Sequence, residues 1–171
     1  MVLLFLYDAF LYALNIGCNY VYETVVPNKD DVNNGITYYC QIGENTDVRL
    51  RETLRLLGQI AKEPAFDQLR TKEQLGYIVS SGQWIFTGTM GFRITIQSER
   101  DPVYLESRVD VFLEHLRVLI EEMSEADFEK ERQSLIDKIN DQLKNLREET
   151  RRFWNHIDDG YYEFRYREYF F

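Results

Sequence analysis

The chain has 171 residues, 44% of them hydrophobic and 29% charged, a composition that suits one soluble globular domain. With 20 basic against 29 acidic side chains, its net charge is −9. That balance excludes nucleic acid as a partner, because affinity for a phosphate backbone is built from cationic contacts, and it suits basic or neutral peptides.

In chain order, the first stretch, "MVLLFLYDAFLYALNIG", is apolar but lacks a basic leader region, carries Asp8 in its middle and shows no small-residue cleavage site. It is too short and interrupted for a membrane span, so no membrane partner is expected and a core-packing segment or an atypical start is the favoured reading. A signal or anchor in residues 1–17 is the alternative. Residues 19–26, "NYVYETVV", alternate aromatic and β-branched side chains and predict a strand. After the turn signal "PNKDDVNNG", "ITYYCQIG" predicts a second strand, with Ile36, Tyr38, Cys40 and Ile42 on one face. Asn45 or Thr46 is the candidate cap of a helix whose stripe is Leu50, Leu54, Leu57 and Ile60 or Ala61.

Glu63–Pro64 is read as the restart of a second helix, carrying Phe66 and Leu69 and ending near Gly76 as its C′ residue. "YIVSSGQWIF" and "MGFRITIQSE" then predict an antiparallel hairpin joined at residues 87–89. Asp101 and Pro102 form an N-cap and first-turn proline for a helix with Leu105, Val109, Phe112 or Leu113, Leu116, Ile120 and Met123 on one side. "SEAD" at 124–127 approximates a capping box opening one last long helix, with Phe128, Leu135, Ile139, Leu143, Leu146, Phe153 and Ile157 as its apolar positions and Gly160 as its end. Strand pairs alternating with helix pairs, ββ-αα-ββ-αα, predict an α+β layer: a mainly antiparallel sheet with helices packed on one face. The aromatics crowding the last residues, and the stop after "REYFF", read as a cut.

Self-sufficient chemistry is not legible. His115 and His156 are the only histidines, and neither lies in an H-x-x-E-H arrangement, so no metal ligand is assigned. His115 reads as a helix-face residue; His156 sits near a helix end, where a cationic ring suits the dipole. Cys18 and Cys40 make no disulfide scaffold and suggest a reducing, cytoplasmic setting, with Cys40 a small buried hydrophobe. The acidic cluster Glu121, Glu122, Glu125, Asp127, Glu129 and Glu131 reads as solvated surface around a helix start.

"LRTKEQLGYIVSSG" admits two readings. In one, Arg70 and Lys72 stabilise a helix C-terminus and Tyr77 is a strand former. In the other, the Arg70 guanidinium grips a carbonyl or carboxylate, and the Tyr77 phenol donates to an oxygen that turns negative in a transition state.

The longer block "EPAFDQLRTKEQLGYIVSSG" closely resembles the C-terminal half of the insulysin and pitrilysin branch of the M16 zinc metallopeptidases. "NNGITYYCQIG", "FRITIQSERDPVYLESRVDVFLEHL" and "RFWNHIDDGYYEF" extend the likeness over residues 19–168. The resemblance implies a partial M16-type C-terminal (fourth) domain over 19–168, truncated at its C-terminal end, with an apolar extension at 1–18 and a tail at 169–171. Relatives are several times longer and build two clam-like halves from four similar domains. Their inverted zinc motif lies in the first. Zinc is therefore expected for the full-length enzyme and not on this chain.

By the same resemblance, the positions matching Arg70 and Tyr77 are catalytic accessories, binding substrate backbone and stabilising the tetrahedral intermediate as zinc-activated water attacks the peptide carbonyl. Phe66 matches a substrate-binding position on the chamber wall. The expected partners are peptide substrates and the zinc-bearing N-terminal half of an M16 peptidase. The rival expectation is a non-catalytic peptide-binding or scaffolding domain of the same type.

Overall fold

Met90, Phe92, Ile94 and Ile96 alternate with Gly91, Arg93 and Thr95, and that period of two decides the centre of the molecule. All four apolar side chains are buried, on the central strand of a three-stranded antiparallel sheet. The computed structural model describes residues 14, 15, 17–160 and 162–165. Its elements are β1 (Asn34–Gly43), α1 (Val48–Ala65) running directly into a π-helical stretch (Phe66–Lys72), β2 (Ile78–Phe86), β3 (Thr89–Ser98), α2 (Pro102–Glu121), α3 (Glu125–Asn140) and α4 (Leu146–Asp158). The strand order is β1-β3-β2. Ile36, Tyr38 and Cys40 of β1 face Ile96, Ile94 and Phe92, while Val79 and Ile85 of β2 face Ile96 and Met90.

Helices cover this apolar face. α1 buries Leu54, Ala61 and Ala65 against it, with Leu50 and Leu57 at the margin, and α2 adds Leu105, Val109, Phe112 and Leu116. Each fully buried aliphatic or phenylalanine side chain contributes about 1.5–3 kcal/mol. The architecture is the expected α+β layer with helices on one face of an antiparallel sheet. On the opposite face Tyr39 lies across Gly91, edge-on to Trp84 and Phe86, and Arg93 stacks on Trp84 at 4.5 Å.

Local chemistry sets the element ends. Asp101 accepts from the Val103 and Tyr104 amides at 2.9 and 3.3 Å, with Pro102 in the first turn as read from the sequence. Ser124 caps α3 by accepting from Asp127 N–H at 3.1 Å. The β2–β3 turn places Gly88 at φ 91°, and the hairpin forms as expected.

Several expectations are corrected. Residues 19–26 form no strand: Val25 is 89% exposed, and among the described residues no neighbouring strand satisfies their backbone. The cap of α1 is Asp47, accepting from Leu50 N–H at 2.9 Å. Asn45 is instead buried and donates to the carbonyls of Phe86 and Asp159, while Arg51, also buried, donates to the Asn45 carbonyl and pairs with Glu163. These bonds tie the region after α4 to the hairpin turn.

Pro64 does not restart a helix. It lies inside one, removing a single N–H donor without ending the run, and the wider π turns follow directly. The last long helix is two. Asp141 leaves helical geometry (ψ 137°), and Asn145 starts α4 by accepting from Glu148 N–H at 3.0 Å, an arrangement that asparagine and aspartate favour over a helix interior. The order is thus β-α-ββ-ααα.

Cys40 is half-buried with its thiol pKa raised by burial, and Cys18 is exposed; both are free. The acidic cluster is surface, with Asp127, Glu129 and Glu121 paired to Lys130, Arg132 and Arg117. The segments expected as the apolar extension and the tail lie, apart from residues 14, 15, 17 and 18, outside the described residues. Among those described, no helix is long and apolar enough to cross a membrane.

Gly76 is not the C′ residue. The helical run ends at Glu73, and Gln74 takes the left-handed conformation at φ 50°. Replacing Gln74 by glycine therefore raises the unfolding free energy by about 0.5–1 kcal/mol, measured by urea denaturation. An unchanged midpoint would mean that the glutamine carries no strain.

Candidate active-site half

The π-helical stretch places Phe66 and Arg70 one turn apart, and the chain returns after four more residues beyond Glu73 to set Tyr77 beside them. The Arg70 guanidinium carbon lies 4.7 Å from the centre of the Phe66 ring and 5.2 Å from that of Tyr77. Each exposed cation–π contact of this kind contributes about 0.5–1 kcal/mol. All three residues singled out in the sequence are brought together.

The surroundings of this block are a mixture of ion pairing, ring stacking and exposed aromatic surface. Lys72 pairs with Asp67 at 2.7 Å, and Arg70 stacks on rings. Tyr77 is 83% exposed and Phe66 is 45% exposed, whereas a tyrosine present for strand packing would be covered. Phe66 lines a groove of about 440 Å³ bounded by Ala65, Asp67, Val79 and Ser80; Tyr77 lines a neighbouring one of about 460 Å³ with Gln97 and Arg100. The cluster thus offers one fixed cation, one phenolic donor and an apolar wall to a ligand from outside.

Two features that hold the cluster are not anticipated by the sequence reading. The first is a close approach: a Cβ on Gly76 would lie 1.8 Å from the Gln97 carbonyl oxygen, so only glycine lets the chain run so near β3 just before Tyr77. The second is Glu73, whose carboxylate accepts from Arg108 Nε at 2.6 Å and Nη2 at 2.9 Å and from the Gln68 amide at 2.9 Å. The signal that could have found it is an acid in a helix's last turn, where the dipole disfavours it and a cation must compensate.

The hydrogen bonds from Arg108 hold the Glu73 carboxyl below the usual carboxylate range. Its folded-state pKa lies below its unfolded one, so its contribution to stability is fully present above the unfolded value of about 4.3 and is lost as pH falls through the folded value. Glu73→Gln should flatten that part of the stability–pH curve below about pH 4.3; denaturation midpoints across pH 3 to 6 check this.

The histidines do not fit a metal. His115 Nδ1 meets Gln68 Oε1 at 2.9 Å on the surface. His156 is buried, and burial together with Arg51, Arg55 and Arg152 pushes its pKa down, the reverse of the cationic helix-end ring expected. Among the described residues, no group of three or more His, Cys, Asp or Glu side chains could hold a metal ion.

Fold and cluster together describe one α+β layer that carries an exposed cation–π cluster at the end of its first helical run. A family model described as "PQQ synthase PqqF-like, C-terminal lobe domain 4" matches residues 56–154, more than half of the chain. A Schizosaccharomyces pombe protein named as a zinc protease is 45% identical over 86% of this chain and 15% of that protein. The human insulin-degrading enzyme is 42% identical over 82% of this chain and 14% of that enzyme. The crystal structure of pitrilysin superposes with a TM-score of 0.67 at 24% identity, covering 81% of this chain and 15% of that one, which supports the fold. The chain belongs to the insulysin and pitrilysin branch of the M16 zinc metallopeptidases, as a fragment of the C-terminal lobe. It spans about 15% of the length of the relatives it matches.

Proposed function

We propose that this chain supplies the accessory half of a peptidase active site: substrate-binding and oxyanion-stabilising groups that act on a peptide held at a zinc site in a different domain. The observation that carries this reading is the exposed stack of Arg70 between Phe66 and Tyr77. In it, Arg70 holds a substrate carbonyl, Phe66 walls the position of a neighbouring side chain, and Tyr77 donates to the carbonyl oxygen as it becomes negative. A hydrogen bond of that last kind strengthens as charge develops, so it accelerates the reaction rather than only tightening binding.

The test is a chimera in which residues 19–165 replace the matching segment of the human insulin-degrading enzyme, assayed on a fluorogenic peptide. The chimera is expected to cleave peptide. Arg70→Ala in it should raise KM and lower kcat together, since a cationic clamp on the carbonyl binds the ground state and tightens further as negative charge develops. A chimera that cleaves equally well with Arg70→Ala and Tyr77→Phe would show that this segment acts as a scaffold, and the proposal would fall.

A further inference from the structure

We infer that Glu73 and Arg108 form the positioning clamp that sets Tyr77 against Arg70, an inference that rests on the peptide-hydrolysis reading of those two residues. Glu73 lies three residues after Arg70 and four before Tyr77, so a constraint on it acts on both arms of the cluster. Its carboxylate is gripped in a two-pronged geometry by a guanidinium, which fixes orientation as well as distance. Arg108 stands on α2 next to fully buried Val109 and one turn from buried Leu105, so the anchor is part of the core layer.

A second tie lies on the same face of that helix. Arg108 and His115 are seven residues apart, two helical turns, and His115 meets Gln68, whose amide in turn donates to Glu73. The π-helical stretch is thereby fastened to α2 at both Gln68 and Glu73, and the Glu73 amide closes the wide turn on the Gln68 carbonyl at 2.9 Å. The segment from there to Tyr77 is held throughout. Gln74 is left-handed, Leu75 is buried with its carbonyl accepting from the Ser98 hydroxyl, and Gly76 lies against β3.

The pair differs in kind from its neighbours. The ion pairs Arg117–Glu114, Lys130–Asp127 and Arg132–Glu129 each join residues three apart on one helix and are exposed. Glu73–Arg108 crosses between elements, 35 residues apart in sequence, and is partly shielded from solvent. Surface pairs within a helix contribute little; a shielded fork between elements restricts where a segment can go.

Hydrogen exchange on the 171-residue chain and kinetics on the chimera test this together. Glu73→Gln and Arg108→Ala are each expected to speed amide exchange at residues 74–78 by about tenfold, with β3 unchanged. In the chimera each should lower kcat by about tenfold or more. Arg108→Lys, which keeps the charge and loses the fork, should restore little of it. The exchanged pair, Glu73→Arg with Arg108→Glu, should recover more activity than either single change. Unchanged exchange at 74–78, or protection lost equally along β3, would overturn the clamp and leave an ordinary stabilising pair. Tyr77→Phe in the same chimera separates the two ideas. A loss of kcat there without one in Glu73→Gln sinks the clamp alone, and no loss with Tyr77→Phe sinks the catalytic reading while exchange still reports on the clamp.

Discussion

Tyr77→Phe is expected to lower kcat of the chimera by about 100- to 1,000-fold, the usual cost of removing one donor from an oxyanion site. KM should change by no more than about threefold, because the lost bond forms as charge develops on the carbonyl oxygen. The substitution is unusually clean here. The Tyr77 ring is 83% exposed, so the fold loses nothing with its hydroxyl, and stability should stay within about 0.5 kcal/mol. The ring itself remains to hold Arg70, whose guanidinium carbon lies 5.2 Å from its centre. Only the donor disappears. Steady-state kinetics with parallel thermal denaturation give the answer, and an intact kcat would remove Tyr77 from the chemistry.

Gly76→Ala is expected to cost about 3 kcal/mol of folding free energy, near the upper end for overpacking, and to reduce turnover as well. The atoms that an alanine Cβ would meet at 1.8 and 2.8 Å are the carbonyl oxygen and carbon of Gln97. Both belong to the backbone of the central strand, so no side chain can rotate out of the way. The start of β2, where Ile78 pairs with Gln97, must move instead, and Tyr77 moves with it. Urea denaturation of the chain measures the first effect and kcat of the chimera the second. A variant within about 1 kcal/mol of the parent would show that this approach is looser than described.

What could be read from the sequence follows from whether a signal is local. Alternation in β1 and β3 and the spacing of Leu54, Ala61, Leu105, Val109 and Phe112 reveal burial, because one face of an element must be apolar whatever covers it. Asp101–Pro102 and Ser124 are caps that act within a turn, and they hold. Residues 19–26 show the limit: their alternation is as good as that of β1, but a strand exists only with a partner, and none is supplied among the described residues. Asn45 looked like a cap because asparagine often is one, yet its partners at Phe86 and Asp159 lie 41 and 114 residues away. Arg70 and Tyr77 were singled out by their donor chemistry and, together with Phe66, by the resemblance of a long block; that the three sit side by side is what the structure adds. Glu73 and Arg108 were not singled out, since a contact 35 residues long leaves no periodic trace.

The π-helical stretch has a further consequence for how tolerant this segment is to changes in length. A turn of that width holds one residue more than an α turn, so deleting a single exposed residue such as Thr71 can be absorbed by tightening to ordinary pitch. The layer beneath would close up and the chain would still fold. The angular phase between Phe66, Arg70 and the strand that follows would nevertheless shift by most of a residue's rotation. Length variation here therefore separates folding of the domain from the placement of Phe66 and Arg70. A homologous chain lacking the extra residue would fold with Phe66 and Arg70 turned away from Tyr77.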